Sequence, residues 1–295
     1  MILVTGAGGK TGRTVTKWLS KAAPLCALVH REEQVSVLKS LGAERVVVGD
    51  LGDESAVRGA MQGVRAVYHI CPNMNPDETA IGKLVIGAAR ENGVEHFVYH
   101  SVLHPQAEKM PHHWAKLRVE ELLLESGLAF TVLQPAPYMQ NLLAAWSRIV
   151  EDGVLGVPYS VDSKFSFADL EDIAECGKIV LTEPGHTNAT YELAGTVPLS
   201  HVEVAETFSR VLNRNVHAEK EEIAAWRLRT LKSSPMGAGP ELSAYAVENL
   251  VRMFEYYDQW GLTGNPNVLA WLLGRGPTSL ESFIARAVKE RDVVH

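Results

Sequence analysis

Along the first 135 residues the apolar positions alternate between two rhythms. Short continuous runs, Ile2–Thr5, Leu25–Val29, Arg45–Val48, Ala66–Ile70, Phe97–Ser101 and Phe130–Leu133, have the length and composition of strands covered on both faces. Between them apolar residues recur at helical spacing over Thr14–Lys21, Glu33–Leu41, Ser55–Met61, Thr79–Asn92 and His113–Ser126. Gly93 and Gly127 stand where a left-handed helix cap belongs, and Gly42 and Gly63 also close helical stretches. Strand and helix alternating through short connections is the pattern of parallel strands joined by crossovers. The prediction is an α/β, Rossmann-type doubly wound parallel sheet.

After Pro135 the rhythm breaks. Met139–Glu151 reads as helix, Lys164–Phe167 and Thr190–Leu193 as short strands around a helix Leu170–Leu181. From Ser200 the chain is mostly helical: Val202–Leu212, Ile223–Leu231, Leu242–Trp260 and Leu280–Glu290, the last with Thr278 and Glu281 spaced as a capping box. Ser233–Pro240, rich in small residues, glycine and proline, is predicted to be a loop. The expected division is a dinucleotide-binding domain over 1–135 and a smaller, mostly helical substrate lobe over 136–295, with parts of 136–200 returning to the main sheet. Trp226, Tyr256, Tyr257, Trp260 and Trp271 line an apolar pocket of that lobe or form its core.

Composition narrows the function classes. The chain has 295 residues, 46% hydrophobic and 21% charged, with a formal net charge of -7. That balance argues against a general nucleic-acid or anionic-membrane surface, and no apolar run approaches the roughly 18 residues of a membrane span. The three cysteines, Cys26, Cys71 and Cys176, are widely spaced and form no C-x-x-C pair, which speaks against a disulfide framework or a cysteine zinc site and for a reducing, cytoplasmic setting. The chain shows no basic leader, H-E-x-x-H, P-loop or G-x-S-x-G signature.

The densest signal is Thr5-Gly6-Ala7-Gly8-Gly9-Lys10-Thr11-Gly12, between the first predicted strand and the first predicted helix. Gly6, Gly9 and Gly12 give G-x-x-G-x-x-G. Gly6 permits the tight turn, Gly9 lets backbone N–H groups approach a pyrophosphate at the helix start, and Gly12 lets helix and strand pack closely. Gly8, Lys10 and Thr11 belong to the same cradle. The second strand ends in Val29-His30-Arg31, with a cation where an NAD site carries a carboxylate, so NADP(H) is favoured and NAD(H) is the alternative. Asp50, followed by Leu51, either accepts from an adenine amino group or caps the next helix. Cys71 and Pro72 follow the fourth strand at the carboxyl edge of the sheet, where ligands bind in such folds.

Together these residues resemble the NmrA-like family of atypical short-chain dehydrogenases, which includes quinone and triphenylmethane-dye reductases and redox-sensing regulators. Further carriers of the resemblance are Gly49-Asp50-Leu51, Tyr99-His100-Ser101, His112-x-x-x-Lys116, Leu133-Gln134-Pro135-x-Pro137-Tyr138-Met139-Gln140-Asn141 and Thr190-Tyr191-Glu192-Leu193-Ala194-Gly195. The resemblance implies that Lys116 approaches the nicotinamide ribose or the substrate as a cation, and that Ser101 holds the catalytic serine position. It places Pro135 and Tyr138 along the nicotinamide, with Tyr138, Asn141 and His104 toward substrate.

One departure matters. No tyrosine has a lysine four places on; His112 and Lys116 stand there instead, sharing a helix face. His112 is the expected proton donor, with His113 and His104 as alternatives. The histidines suggest no metal site. The activity implied is NAD(P)H-dependent hydride transfer to an electrophilic, quinone-like, conjugated or aromatic small molecule; the alternative is a non-catalytic NAD(P) sensor that binds a protein partner.

Overall fold

The computed structural model describes residues 1–232 and 243–292, with side chains described except at 229–232 and 292. In chain order the elements begin β1 (Ile2–Val4), α1 (Lys10–Leu19), β2 (Leu25–Val29), a 3-10 turn (Glu32–Gln34), α2 (Val35–Ser40), β3 (Arg45–Val48), α3 (Glu54–Met61), β4 (Ala66–His69), α4 (Glu78–Glu91), β5 (His96–His100), α5 (Pro111–Leu124) and β6 (Phe130–Pro135). A second 3-10 stretch (Met139–Ala145), α6 (Trp146–Glu151), β7 (Val154–Val157), α7 (Leu170–Thr182) and β8 (Ala189–Leu193) follow. The described chain ends with α8 (His201–Leu212), β9 (His217–Lys220), α9 (Ile223–Lys232), α10 (Ala244–Trp260), α11 (Asn267–Leu273) and α12 (Leu280–Asp292).

The chain divides into two compact units. The first holds Met1–Glu108, His112–Pro135 and Leu170–Glu192; the second holds Lys109–Pro111, Ala136–Asp169 and Leu193–His295. The first is built on a seven-stranded sheet of order β3-β2-β1-β4-β5-β6-β8, in which β1 to β6 run parallel. Because side chains alternate across a strand, each face has its own core. Leu3, Cys26, Leu28, Val67, Phe97 and Tyr99 point to the face covered by α3, α4 and α5, against Val57, Met61, Ile81, Val85, Val119 and Leu123. On the other side α7 lies so close that a Cβ on Gly177 would come within 2.6 Å of the Tyr68 ring. Its Glu171 accepts from Trp18 Nε1 (2.6 Å) and Lys17 Nζ (3.1 Å) of α1. Such two-sided burial is why the strands read as continuous apolar runs.

The second unit is mainly helical, with one short parallel pair, β7 and β9. An aromatic core gathers round Tyr159, whose ring contacts Phe165, His201, Phe254 and Tyr257 at centroid distances of 5.1–5.8 Å. Arg286 of α12 pairs at 2.6 Å with Asp169, whose side chain is buried.

Several expectations change. α1 starts at Lys10, four places before the apolar periodicity suggests, because Gly12 is a helical residue pressed onto Gly6. Lys164–Phe167 is not a strand: Phe165 alone makes isolated bridges, to Leu199 and Leu262. At the last helix Ser279 also accepts from the Ser282 N–H, at 3.1 Å. The five aromatics do not share a pocket wall: Trp226 and Tyr257 are buried, while Trp260 and Trp271 are about two-thirds exposed. The loop predicted for Ser233–Pro240 lies outside the described residues.

Candidate active site

The chain order places a topological switch point at β1, whose two neighbours β2 and β4 lead to opposite halves of the sheet. Ligands of doubly wound sheets bind at the carboxyl ends of the strands beside such a point. Thr5 ties the two halves there. Its Oγ1 accepts from Ile70 N (2.9 Å), donates to Ile70 O (3.2 Å) and lies 2.8 Å from His69 Nδ1.

The glycine loop then turns at Gly6, at φ +57°, a conformation that favours glycine. A Cβ on Gly6 would also stand 2.5 Å from the Ile70 carbonyl oxygen. At Gly12 a Cβ would stand 2.4 Å from Gly6 O and 2.5 Å from Ala7 Cα, so helix and loop touch backbone to backbone. Around Gly9 the added atom would find only Gly6 O, at 3.6 Å. The ten-residue α1 begins at Lys10 beside this open space, with no side-chain cap from Gly9. At Gly8 a Cβ would collide with the end of the Gln34 side chain at 2.2 Å. Its missing side chain makes room for Gln34, whose Oε1 accepts from Arg31 N at 3.1 Å. Lys10 is exposed and Thr11 half-buried in the first turn of α1.

Next to the loop, Gly6, Val29, His30, Asp50, Leu51, Pro72, Asn75 and Ile81 line one pocket. Five expected cofactor contacts, Gly6, His30, Asp50, Leu51 and Pro72, are thus brought together. Asp50 does not cap α3; Asp53 does, its Oδ1 accepting from Ser55 N at 2.8 Å. Asp50 instead turns to His30, Oδ2 to Nδ1 3.3 Å. Arg31 is exposed and makes no ion pair with Glu32, Glu33 or any other described residue. The combination of a Cβ-free cradle at a helix N-terminus and an uncommitted guanidinium fits a phosphorylated dinucleotide.

The other expected residues of the first unit converge further along the same strand ends, in a buried polar network. Lys116 of α5 is 5% exposed and donates a hydrogen bond to Glu78 Oε1 of α4 at 2.9 Å. Tyr99 OH donates to the same oxygen, also at 2.9 Å, and the Lys116 ammonium lies over the Tyr99 ring. Glu78 is fully buried, and its Oε2 has no protein partner. Ser101 donates to Glu120, and Gln134 Nε2 donates to both Glu120 oxygens at 3.0 Å. Burial pushes the Glu120 carboxyl up, with those hydrogen bonds working against the rise. Cys71 is buried, and the same desolvation raises its thiol. Pro135, at the end of β6, accepts from Leu103 N at 2.9 Å. Thr5, His69, Glu78, Tyr99, Glu120 and Gln134 were not singled out as site residues from sequence. Their partners lie 14 to 64 residues away, and no local spacing announces them.

His112 needs correction. It is buried, and desolvation, reinforced by Lys116 and His113, holds its imidazole well below the ordinary range. It stays neutral near pH 7 and is a poor proton donor there. His113 is lowered to about 4 by desolvation and sits with Nδ1 3.3 Å from the His104 carbonyl. Among the described residues no three His, Cys, Asp or Glu side chains are placed to hold a metal ion. Tyr138 and Asn141 belong to the second unit, where Tyr138 bridges Ala168 and its carbonyl accepts from Asn141 N at 2.9 Å.

A doubly wound parallel sheet with a glycine loop at its switch point defines a Rossmann-type dinucleotide-binding protein. The chain belongs to the NmrA-like family, whose model matches residues 1–290. It is 33% identical over 254 residues to the NAD(P)H azoreductase of Xenophilus azovorans, covering 85% of this chain and 86% of that one. Quinone oxidoreductase 2 of Escherichia coli (strain K12) is 29% identical over 218 residues, 73% of this chain and 76% of that one. The solved structure of the NADPH-dependent quinone oxidoreductase of Escherichia coli with NADPH superposes with a TM-score of 0.83 at 27% identity, covering 98% of this chain and 100% of that one.

Proposed function

We propose that this protein is an NAD(P)H-dependent reductase that passes hydride to a small electrophilic acceptor of the quinone, azo or cationic-dye kind. The observation that carries the reading is the glycine cradle at the switch point with an unpaired Arg31 beside it, in a chain whose relatives include an NAD(P)H azoreductase and a quinone oxidoreductase. The reduced nicotinamide supplies the hydride. The loop backbone from Gly6 to Gly12 holds the pyrophosphate, His30 and Arg31 take the 2′-phosphate of NADP(H), and Asp50, Leu51 and Pro72 surround the adenosine. Lys116 and Ser101 orient the nicotinamide end. Tyr138 and Asn141 receive the substrate.

An acceptor that is already electrophilic needs placement more than activation, which suits a chain without the Tyr-x-x-x-Lys pair. The three free, buried cysteines agree with a reducing cytoplasm, and no described helix is long and apolar enough to cross a membrane. The test is NADPH oxidation by the full-length protein across naphthoquinones, azo dyes and cationic triarylmethane dyes. Turnover on at least one class is expected. Tight NADPH binding with no oxidation by any of them would overturn the reading and point to a sensor of cofactor state.

A further inference from the structure

Hydride transfer to a quinone yields a hydroquinone oxyanion. The two electrons and one hydrogen come from the reduced nicotinamide, which becomes oxidised; one proton must still reach the oxygen. The helix that should supply it offers no ready donor. His112 and His113 are buried and held neutral, and the Lys116 ammonium is engaged by Glu78.

We infer that His104, whose ring faces Glu192, is the general acid that protonates the reduced quinone. This deepens the reductase reading above and rests on it. His104 follows Ser101 by three residues, on the loop that leaves the carboxyl end of β5. Its side chain is 32% exposed, and its Nε2 lies 3.7 Å from Glu192 Oε1. That contact brings Glu192 of β8 to the same edge of the sheet as Ser101.

The backbone at His104 is unusual. Its φ is +54°, a left-handed conformation that costs a non-glycine residue energy and persists only where the surroundings enforce it. The enforcement is visible. Leu103 N is tied to Pro135 O at 2.9 Å, and the His104 carbonyl accepts from Ala107 N at 3.2 Å and faces His113 Nδ1 at 3.3 Å. The buried, neutral His113 therefore has a job other than acid catalysis: it fixes the loop that presents His104. Glu192 faces the ring from β8 and His113 holds the backbone from α5. In the proton-transfer step the His104 Nε2–H bond breaks, an O–H bond forms on the quinone oxygen, and a proton taken up from solvent returns to Nε2.

The experiment exploits acceptor chemistry. A cationic triarylmethane dye takes hydride at carbon and becomes neutral without a proton, whereas a naphthoquinone needs one. His104→Gly is the main variant, because glycine adopts a φ of +54° without strain and leaves space for added imidazole. The ratio of kcat on naphthoquinone to kcat on the dye should fall by about 100-fold, in the range of general acid catalysis, and imidazole should restore part of the quinone rate. Glu192→Gln, as a change to a positioning residue, should lower the same ratio by less. An unchanged ratio, an equal loss on both acceptors, or a lower quinone rate that imidazole does not restore would overturn the inference. A wild-type protein that binds NADPH and reduces neither acceptor would overturn the reductase reading instead, and this inference with it.

Discussion

Arg31 is an exposed guanidinium with no carboxylate partner among the described residues, although Glu32 and Glu33 follow it directly. The 3-10 turn after it keeps Gln34 against Gly8, so the loop that holds the pyrophosphate and the backbone that carries Arg31 are joined by one amide. Arg31→Ala should weaken NADPH binding by about 1.5–3 kcal/mol, the scale of a hydrogen bond to a charged group, and leave NADH nearly unaffected. Paired fluorescence titrations with the two cofactors check this; an equal loss for both would move the 2′-phosphate contact elsewhere. At this scale the sequence was most informative where a single residue type is sterically required. Gly6 and Gly12 leave a mark in the text because no side chain fits their places. Gly8 leaves the same mark although its near neighbour is the flexible end of Gln34 rather than backbone, and sequence alone could not tell the two apart. Glu78, Glu120 and Gln134 left no mark, since an isolated acid or amide acquires meaning only from its distant partner.

Among the elements, α4 and α5 illustrate how packing and chemistry share one interface. Gly82 of α4 lets Val119 of α5 come so close that a Cβ would stand 2.7 Å from its methyls. Beside this apolar contact the same helices join Glu78 to Lys116, with side-chain exposures of 0% and 6%. Breaking such a pair leaves an uncompensated buried charge. Glu78→Gln should therefore cost about 3–5 kcal/mol in chemical denaturation. The double variant Glu78→Leu with Lys116→Met should lose less than either single change, because it removes both charges and keeps the volume. Equal or additive losses would show that the pair is worth little. The helix itself was legible from its spacing, and so was the common face of His112 and Lys116. That this face is interior was not, because a run carrying His, Lys, Arg and Glu reads as a surface helix unless its partner is known. The short strands β7 and β9 escaped for a related reason: Val154-Leu155-Gly156-Val157 and His217-Ala218-Glu219-Lys220 lack the continuous apolar text that marked the main sheet.

For the molecule as a whole, the acidic balance matters less than how its histidines are stored. Among the described residues five histidines are buried with imidazoles below the ordinary range, all chiefly by desolvation: His69 and His100 at about 3, His113 and His201 at about 4, and His112 well below 6.5. In the unfolded chain each takes up a proton near pH 6.5. The native state does not until the lower values are reached. Stability from these groups is therefore complete above about pH 6.5 and is lost as the pH falls from there toward 4, at up to about 1.4 kcal/mol per pH unit for each histidine. Glu120, raised by burial, opposes the trend in part, since the native carboxyl takes up its proton at higher pH than the unfolded one. The depressed carboxylates of Glu91, Glu95 and Asp258 begin to lose their advantage only near their own unfolded values, at about 4. The histidines thus dominate between pH 6.5 and 5. Urea midpoints should be nearly level from pH 8 to 7 and fall steeply from pH 6.5 to 5, with several protons taken up on unfolding. His201→Gln, which removes one such group from the aromatic core of the second unit, should flatten the slope by about one proton even though it lowers the midpoint at pH 7. A flat profile across pH 7 to 5 would mean that these imidazoles are already protonated in the folded protein, and the neutral His112 and His113 that leave proton delivery to His104 would go with it.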